Sequence, residues 1–229
     1  MKTLPSLLVT TLFLLVSATT ASAAVVSIGT TAPTEDGADL STFGTGTPFL
    51  DWGSSVIWGD RPARGQTFSL ASGTNYELNS ITIQSGGNQN SDFSDFNIRV
   101  GSVSGTDFTA IRDEDSGAVT DNVATDDYVT FTFDSAVTLT GGVLYGWDIG
   151  LENSGGFNPY NTDGGSVGGN RYDSGTTASN GVGDSTISTY TSGNNRLFHA
   201  DITAVPEPSS FALIAGFFGL TWVMLRRRY

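Results

Sequence analysis

Apolar side chains in this chain recur at every second position, and no long stretch carries a 3.6-residue period. That pattern admits extended strands with one buried face and argues against a helical bundle. It is clearest in residues 128–133 (YVTFTF), where Val129, Phe131 and Phe133 alternate with Thr130 and Thr132. Residues 66–70, 76–84, 96–100, 108–112, 137–139, 143–151 and 197–202 read the same way. Within them Ile81 and Ile83 share one face, with Leu78 turning in, and Tyr145, Trp147 and Ile149 share another that is assigned to the core. Ala71-Ser72-Gly73, Ser85-Gly86-Gly87-Asn88, Ser104-Gly105 and Gly141-Gly142 supply the turns between them.

Many short strands with closely spaced turns predict an all-β, antiparallel sandwich or barrel. Residues 30–50 are polar and are expected to be irregular. Residues 155–183 hold too little apolar content for a strand pair and read as long loops flanking a short strand near 170–172. There is no cysteine, hence no disulfide framework, thiol nucleophile or thiolate metal site. Between residues 24 and 205 six arginines stand against 22 carboxylates, a net charge of −16. Such a surface repels nucleic acid, which binds through basic contacts to phosphate, and repels anionic lipid head groups. It favours solubility and weak cation binding.

The two ends differ from the body. Lys2 precedes a ten-residue apolar run (LLVTTLFLLV, 7–16), and small residues then lead to Ala21-Ser22-Ala23. This is the order of a secretory signal peptide, placed at residues 1–23 with cleavage after Ala23; Ala24 permits a shift by one residue. At the other end Val205-Pro206-Glu207-Pro208 runs into 17 uncharged residues, 209–225 (SSFALIAGFFGLTWVML), and then Arg226-Arg227-Arg228-Tyr229. Seventeen residues at about 1.5 Å each give roughly 26 Å of helix, a short but adequate match to a hydrocarbon core of about 30 Å. Trp222 lies near one end, where aromatics favour the interface, and the three arginines mark the cytoplasmic side. The prolines at 206 and 208 are expected to keep the approach extended, holding Glu207 at the outer face.

Pro206-Glu207-Pro208, a short apolar helix and a terminal arginine cluster together resemble the PEP-CTERM sorting signal, over roughly residues 204–229. The resemblance implies recognition by an exosortase, an integral-membrane cysteine transpeptidase that cuts near the Pro-Glu-Pro and releases or re-attaches the ectodomain. A second resemblance covers the body. Arg64-Gly65-Gln66-Thr67-Phe68 leads into the 78–83 strand. Later, residues 128–133 are followed by Val137-Thr138-Leu139, a Gly-Gly turn and Leu144-Tyr145-Gly146-Trp147. This succession is similar to the antiparallel jelly-roll domains of secreted bacterial surface proteins. It implies a fold and no particular ligand.

Catalytic constellations are weak. His199 is the one histidine; alternation sets it opposite Phe198, Ala200 and Ile202, as a half-exposed strand residue. Gly164-Gly165-Ser166-Val167-Gly168 matches G-x-S-x-G in letters, but its flanks lack the strand and helix of a nucleophile elbow. The scattered carboxylates define no pair for glycoside hydrolysis. No catalytic residue is assigned and enzyme activity is not expected. Tyr160 and Tyr172, in or beside polar loops, are candidate glycan contacts, whereas most aromatics of a small β-domain serve packing. Asp113, Asp115 and Asp163 are candidate calcium ligands, although calcium needs six to eight oxygens; no other cofactor is implied.

The sequence thus predicts a signal peptide (1–23), a jelly-roll-like β-sandwich ectodomain (24–203) and a sorting segment (204–229) with a transmembrane helix at 209–225. Its route is export, a transient stay in the inner membrane with the ectodomain outside, and delivery to the cell surface or matrix. The expected partners are an exosortase, the inner membrane and extracellular polysaccharide, with no nucleic acid among them. A structural or adhesive role comes first, a polysaccharide-binding module second and a small secreted hydrolase last.

Overall fold

The computed structural model describes residues 23–50, 57–58, 62–87, 96–117, 119, 123–151, 156–163, 167, 169–174, 185–189, 194–206 and 208–226. Of the positions singled out above, residues 1–22 with Ala21, Ser166, Glu207, Arg227 and Arg228 lie outside the described residues. The first strands are β1 (Val25–Gly29), β2 (Leu40–Ser41), β3 (Pro48–Phe49), β4 (Ile57–Trp58), β5 (Ala63–Ser69) and β6 (Asn75–Gln84). Next come β7 (Phe96–Ser104), β8 (Asp107–Asp115), β9 (Tyr128–Thr140), β10 (Leu144–Leu151) and β11 (Gly156–Phe157). Then follow β12 (Asn161–Thr162), β13 (Arg171–Ser174), β14 (Ile187–Thr189), β15 (Asn195–Arg196), β16 (Phe198–Val205) and a helix, α1 (Pro208–Arg226).

The fold is all-β. A five-stranded sheet has the order β1-β9-β6-β16-β2, and a six-stranded sheet the order β14-β13-β5-β10-β7-β8. Two minor sheets, β11-β4 and β15-β12-β3, flank them. Every pairing between these strands is antiparallel. One hydrophobic core joins the two large sheets. The first contributes Leu78, Ile81, Phe131 and Phe198, and the second Phe68, Ile98, Trp147 and Ile149, all fully buried. Phe131 meets Phe96 edge-on across the interface, with centroids 5.3 Å apart, and Trp147 meets Phe198 at the same separation.

Local irregularities keep the pattern in phase. Leu78 and Ile81 are three residues apart, which would put them on opposite faces of a regular strand. The β6–β9 register shifts between Leu78 and Ser80, so both face the core. The same irregularity lets β9 run unbroken through residues predicted as two strands, with Asp134 and Ser135 turned out toward Arg112 of β8. The stretch 30–50, expected to be irregular, contributes the two-residue strands β2 and β3. β1 was not foreseen in the sequence because five residues (VVSIG) carry too little pattern.

The six-stranded sheet is curled until its edges meet at one end. Asp107, opening β8, bridges Thr186, just before β14. The Phe108 N–H donates to the Ser185 carbonyl at 2.7 Å, and the Ile187 N–H to that of Thr106 at 2.8 Å. The curl encloses a second apolar cluster of Val103, Phe108, Tyr172 and Ile187. β10 is therefore buried on both faces. The helix α1 begins at Pro208, a residue suited to a first helical position, so the extended approach ends at Pro206. Among the described residues no helix is long and apolar enough to cross a membrane.

Phe131 is fully buried against Phe96, so Phe131→Ala is expected to cost about 3–5 kcal/mol, read as a lower urea midpoint in equilibrium unfolding.

Candidate functional site

The inside of the curled sheet holds a cluster of buried charged and polar side chains. On β10, Trp147 points to the main core and Asp148, one residue on, points the other way. Asp148 has no exposed surface. Arg99 of β7, its register partner, meets it through Nε–H to Oδ1 at 2.9 Å and Nη2–H to Oδ2 at 2.8 Å. Nη2 also donates to the Ser174 hydroxyl at 2.8 Å, and the Tyr172 hydroxyl donates to Asp148 Oδ2 at 3.2 Å. The guanidinium lies 4.6 Å from the Phe108 ring centroid, a cation–π distance.

Glycines make room for this arrangement. Tyr172 stands on β13 and reaches across β5 and β10 to Asp148. A Cβ on Gly65 would press on the Trp147 carbonyl and lie 2.5 Å from Tyr172 Cζ, and one on Gly146 would lie 2.8 Å from the Tyr172 hydroxyl. Burial works to lower the Arg99 pKa, but the Asp148 hydrogen bonds and charge outweigh it and hold Arg99 above its ordinary value. Burial pulls the Asp148 carboxyl upward, against the bonds from Arg99. Burial, with the Asp148 charge beside it, pushes the Tyr172 phenol well above its usual range. Every group in the cluster is engaged with another strand, so its chemistry is that of a clasp joining β13 to β10 and β7.

His199 is not half-exposed but almost wholly buried. Phe43 stacks on it at 6.5 Å with nearly parallel rings, and Asp39 Oδ2 lies 3.6 Å from its Nε2. The segment around β2, residues 39–43, thus covers a strand face that alternation assigns to solvent. Asp39 also accepts from the Ile202 N–H through Oδ1 and from the Asp36 N–H through Oδ2, both at 2.8 Å. Beside it lies an open hollow of about 340 Å³ lined by Asp36, Asp39 and Asp201.

The candidates from sequence fall in separate places. Tyr172 is fully buried in the clasp and offers no ring face to a glycan, which corrects that expectation: the short strand expected near 170–172 is β13, and it pairs with β5 inside the curled sheet. Tyr160 keeps part of its surface exposed, and its phenol is pushed up by partial burial and by the Asp126 carboxylate that accepts its hydroxyl. Asp113 and Asp115 both accept from the Asn97 amide, at 2.6 and 3.0 Å. Asp163 instead accepts from the Thr47 N–H at 2.7 Å, so the three are not brought together. Among the described residues no group of three or more His, Cys, Asp or Glu side chains is placed to hold a metal ion. Ala23 is exposed and Ala24 buried, and Arg226 closes α1.

Arg99 and Asp148 were missed because a charge alternating with core residues reads as a solvated face. The signal that marks them is the Gly146-Trp147-Asp148-Ile149-Gly150 pattern, in which the face opposite the core carries only glycine around one carboxylate. No family model, curated protein or solved structure gives a significant match to this chain.

Arg99→Ala would leave Asp148 buried without its cation. A loss of about 3–5 kcal/mol is expected, measured by urea unfolding, and a smaller loss when Asp148→Asn is added. Tyr172 gives a pH signature. With its folded pKa raised, its contribution is complete below the unfolded value of about 10 and is lost as pH rises toward the folded one. Stability is expected to fall above about pH 10, and Tyr172→Phe to flatten that fall; an unchanged slope in urea midpoints from alkaline titration would remove Tyr172 as its source.

Proposed function

We propose that this chain is an exported cell-surface or matrix protein whose β-domain is structural or adhesive and whose carboxyl end is a PEP-CTERM sorting signal. The observation that carries the reading is α1. Ile214, Phe217, Phe218, Leu220, Trp222, Val223 and Met224 are all at least half exposed, and at 100° per residue they are spread around the helix. A helix that is apolar all round belongs in a core or a bilayer, and the β-domain leaves this one uncovered. The run assigned to the bilayer is the uncharged sequence 209–225, which also includes Phe211, Ala212 and Leu213. Arg226, Arg227 and Arg228 then sit on the cytoplasmic side, and Pro206-Glu207-Pro208 at the outer face is what an exosortase would read.

Within the β-domain the strand succession supports a jelly-roll. From β5 to β10 the chain changes sheet at every step except the β7–β8 hairpin. The role is proposed as non-catalytic, because the enclosed Arg99–Asp148 cluster is used in joining strands. A polysaccharide-binding role is the second reading, supported by the partial exposure of Tyr160, and a glycan array probed with and without calcium tests it.

For the sorting role, Glu207→Ala or Pro208→Ala in the native host is expected to abolish processing and leave uncut protein in the inner membrane. Processing and location identical to the parent, by fractionation and intact mass, would overturn the sorting signal.

A further inference from the structure

We propose that the amino terminus created by signal removal is a structural part of the β-domain: the α-ammonium of Ala24, the single primary amine of the mature chain, is docked against the end of β8 and closed to amine chemistry. The inference rests on the export reading and on cleavage after Ala23. Ala24 is 2% exposed and belongs to the main core cluster, whereas its neighbour Val25 is 64% exposed. The Ala24 N–H donates to the Asp115 carbonyl at 3.2 Å, and Ala23 forms a bridge with Asp115. From Val25 onward β1 is laddered to β9, Val25 opposite Thr132 and Gly29 opposite Tyr128. The nitrogen of Ala24 is thus held by a β8 carbonyl, its methyl by the core and the chain beyond it by β9.

Cleavage turns this amide N–H into an ammonium. A desolvated ammonium is costly without acceptors, and its bond to a carbonyl becomes charge-assisted and stronger. The end of β8 suits it, because Asp113, Glu114 and Asp115 follow one another there. Arg112 approaches Glu114 at 3.3 Å, while Asp113 and Asp115 share the neutral amide of Asn97. The peptide between Ala23 and Ala24 lies in this junction, so cleavage precedes closure of the fold.

Lys2 is the single lysine of the sequence and leaves with the signal peptide. Amine-directed acylation or cross-linking of the mature protein therefore has one target, and the fold withholds it.

The test uses the full-length protein exported by its host and purified in detergent. It is treated with an N-hydroxysuccinimidyl acetate ester near pH 7, native and in guanidinium chloride, and the amino-terminal peptide is followed by mass spectrometry. The expected first residue is Ala24, acylated at least about tenfold more slowly in the native state, the protection that local closure provides. A variant with Gly-Ser-Gly inserted between Ala23 and Ala24 moves the amine into solvent and is expected to react equally fast in both conditions. Equal native and denatured rates for a folded chain beginning at Ala24, or continued protection of the inserted variant, would overturn the docking and leave export standing. A first residue elsewhere after a cut overturns the docking alone, and a chain still beginning at Met1 overturns export with it.

Discussion

Asp148 is a carboxylate with no exposed surface, and the curled sheet depends on its being met. Bidentate hydrogen bonding by Arg99 supplies the opposite charge in fixed geometry, and Tyr172 adds a third donor. Such a pair contributes little net stability against an apolar replacement, but it penalises any arrangement that separates its members. Its members come from β7, β10 and β13, so satisfying it sets where β13 lies relative to the rest. The glycines at 65 and 146 allow the Tyr172 ring to cross two strands and close the layer. Curling then follows, because the segment before β14 is carried around to the start of β8.

Charge is distributed with the same logic. Residues 24–205 carry a large negative excess, and among the described residues Arg64, Arg99, Arg171 and Arg196 are buried, as are Glu114, Asp127 and Asp148. Arg64 pairs with Asp173 and Arg196 donates to Asn161 at 3.3 Å. The negative excess of the sequence favours mutual repulsion between copies. Against that charge the described apolar side chains of α1, from Ile214 to Leu225, are turned outward, so the acidic domain and the helix ask for different solvents.

The strands legible in the sequence were those with one face in the main core. Residues 76–84 and 143–151 nearly reproduce β6 and β10, and Trp147 sits in the core as its alternation required. Turn chemistry was equally readable: Gly142, between β9 and β10, takes φ of 85°, a value that favours glycine. Strands buried on both faces were misread at their second face, and His199 and Asp148 are the two examples. Each lies opposite core residues, and each is covered by a segment far away in the chain, Asp39 with Phe43 in one case and Tyr172 in the other.

Sequence by itself determined the all-β class, the main strands and the contrast between an acidic body and apolar ends, because alternation, turn residues and uncharged runs are local properties of neighbouring positions. Tertiary structure decided which polar residues are interior. It withdrew Tyr172 from any surface role, separated Asp163 from Asp113 and Asp115, and set Ala24 into the core beside β8. Those outcomes depend on closing loops across many tens of residues, and period-two patterning records which side of a strand a residue takes but not what will come to lie against it.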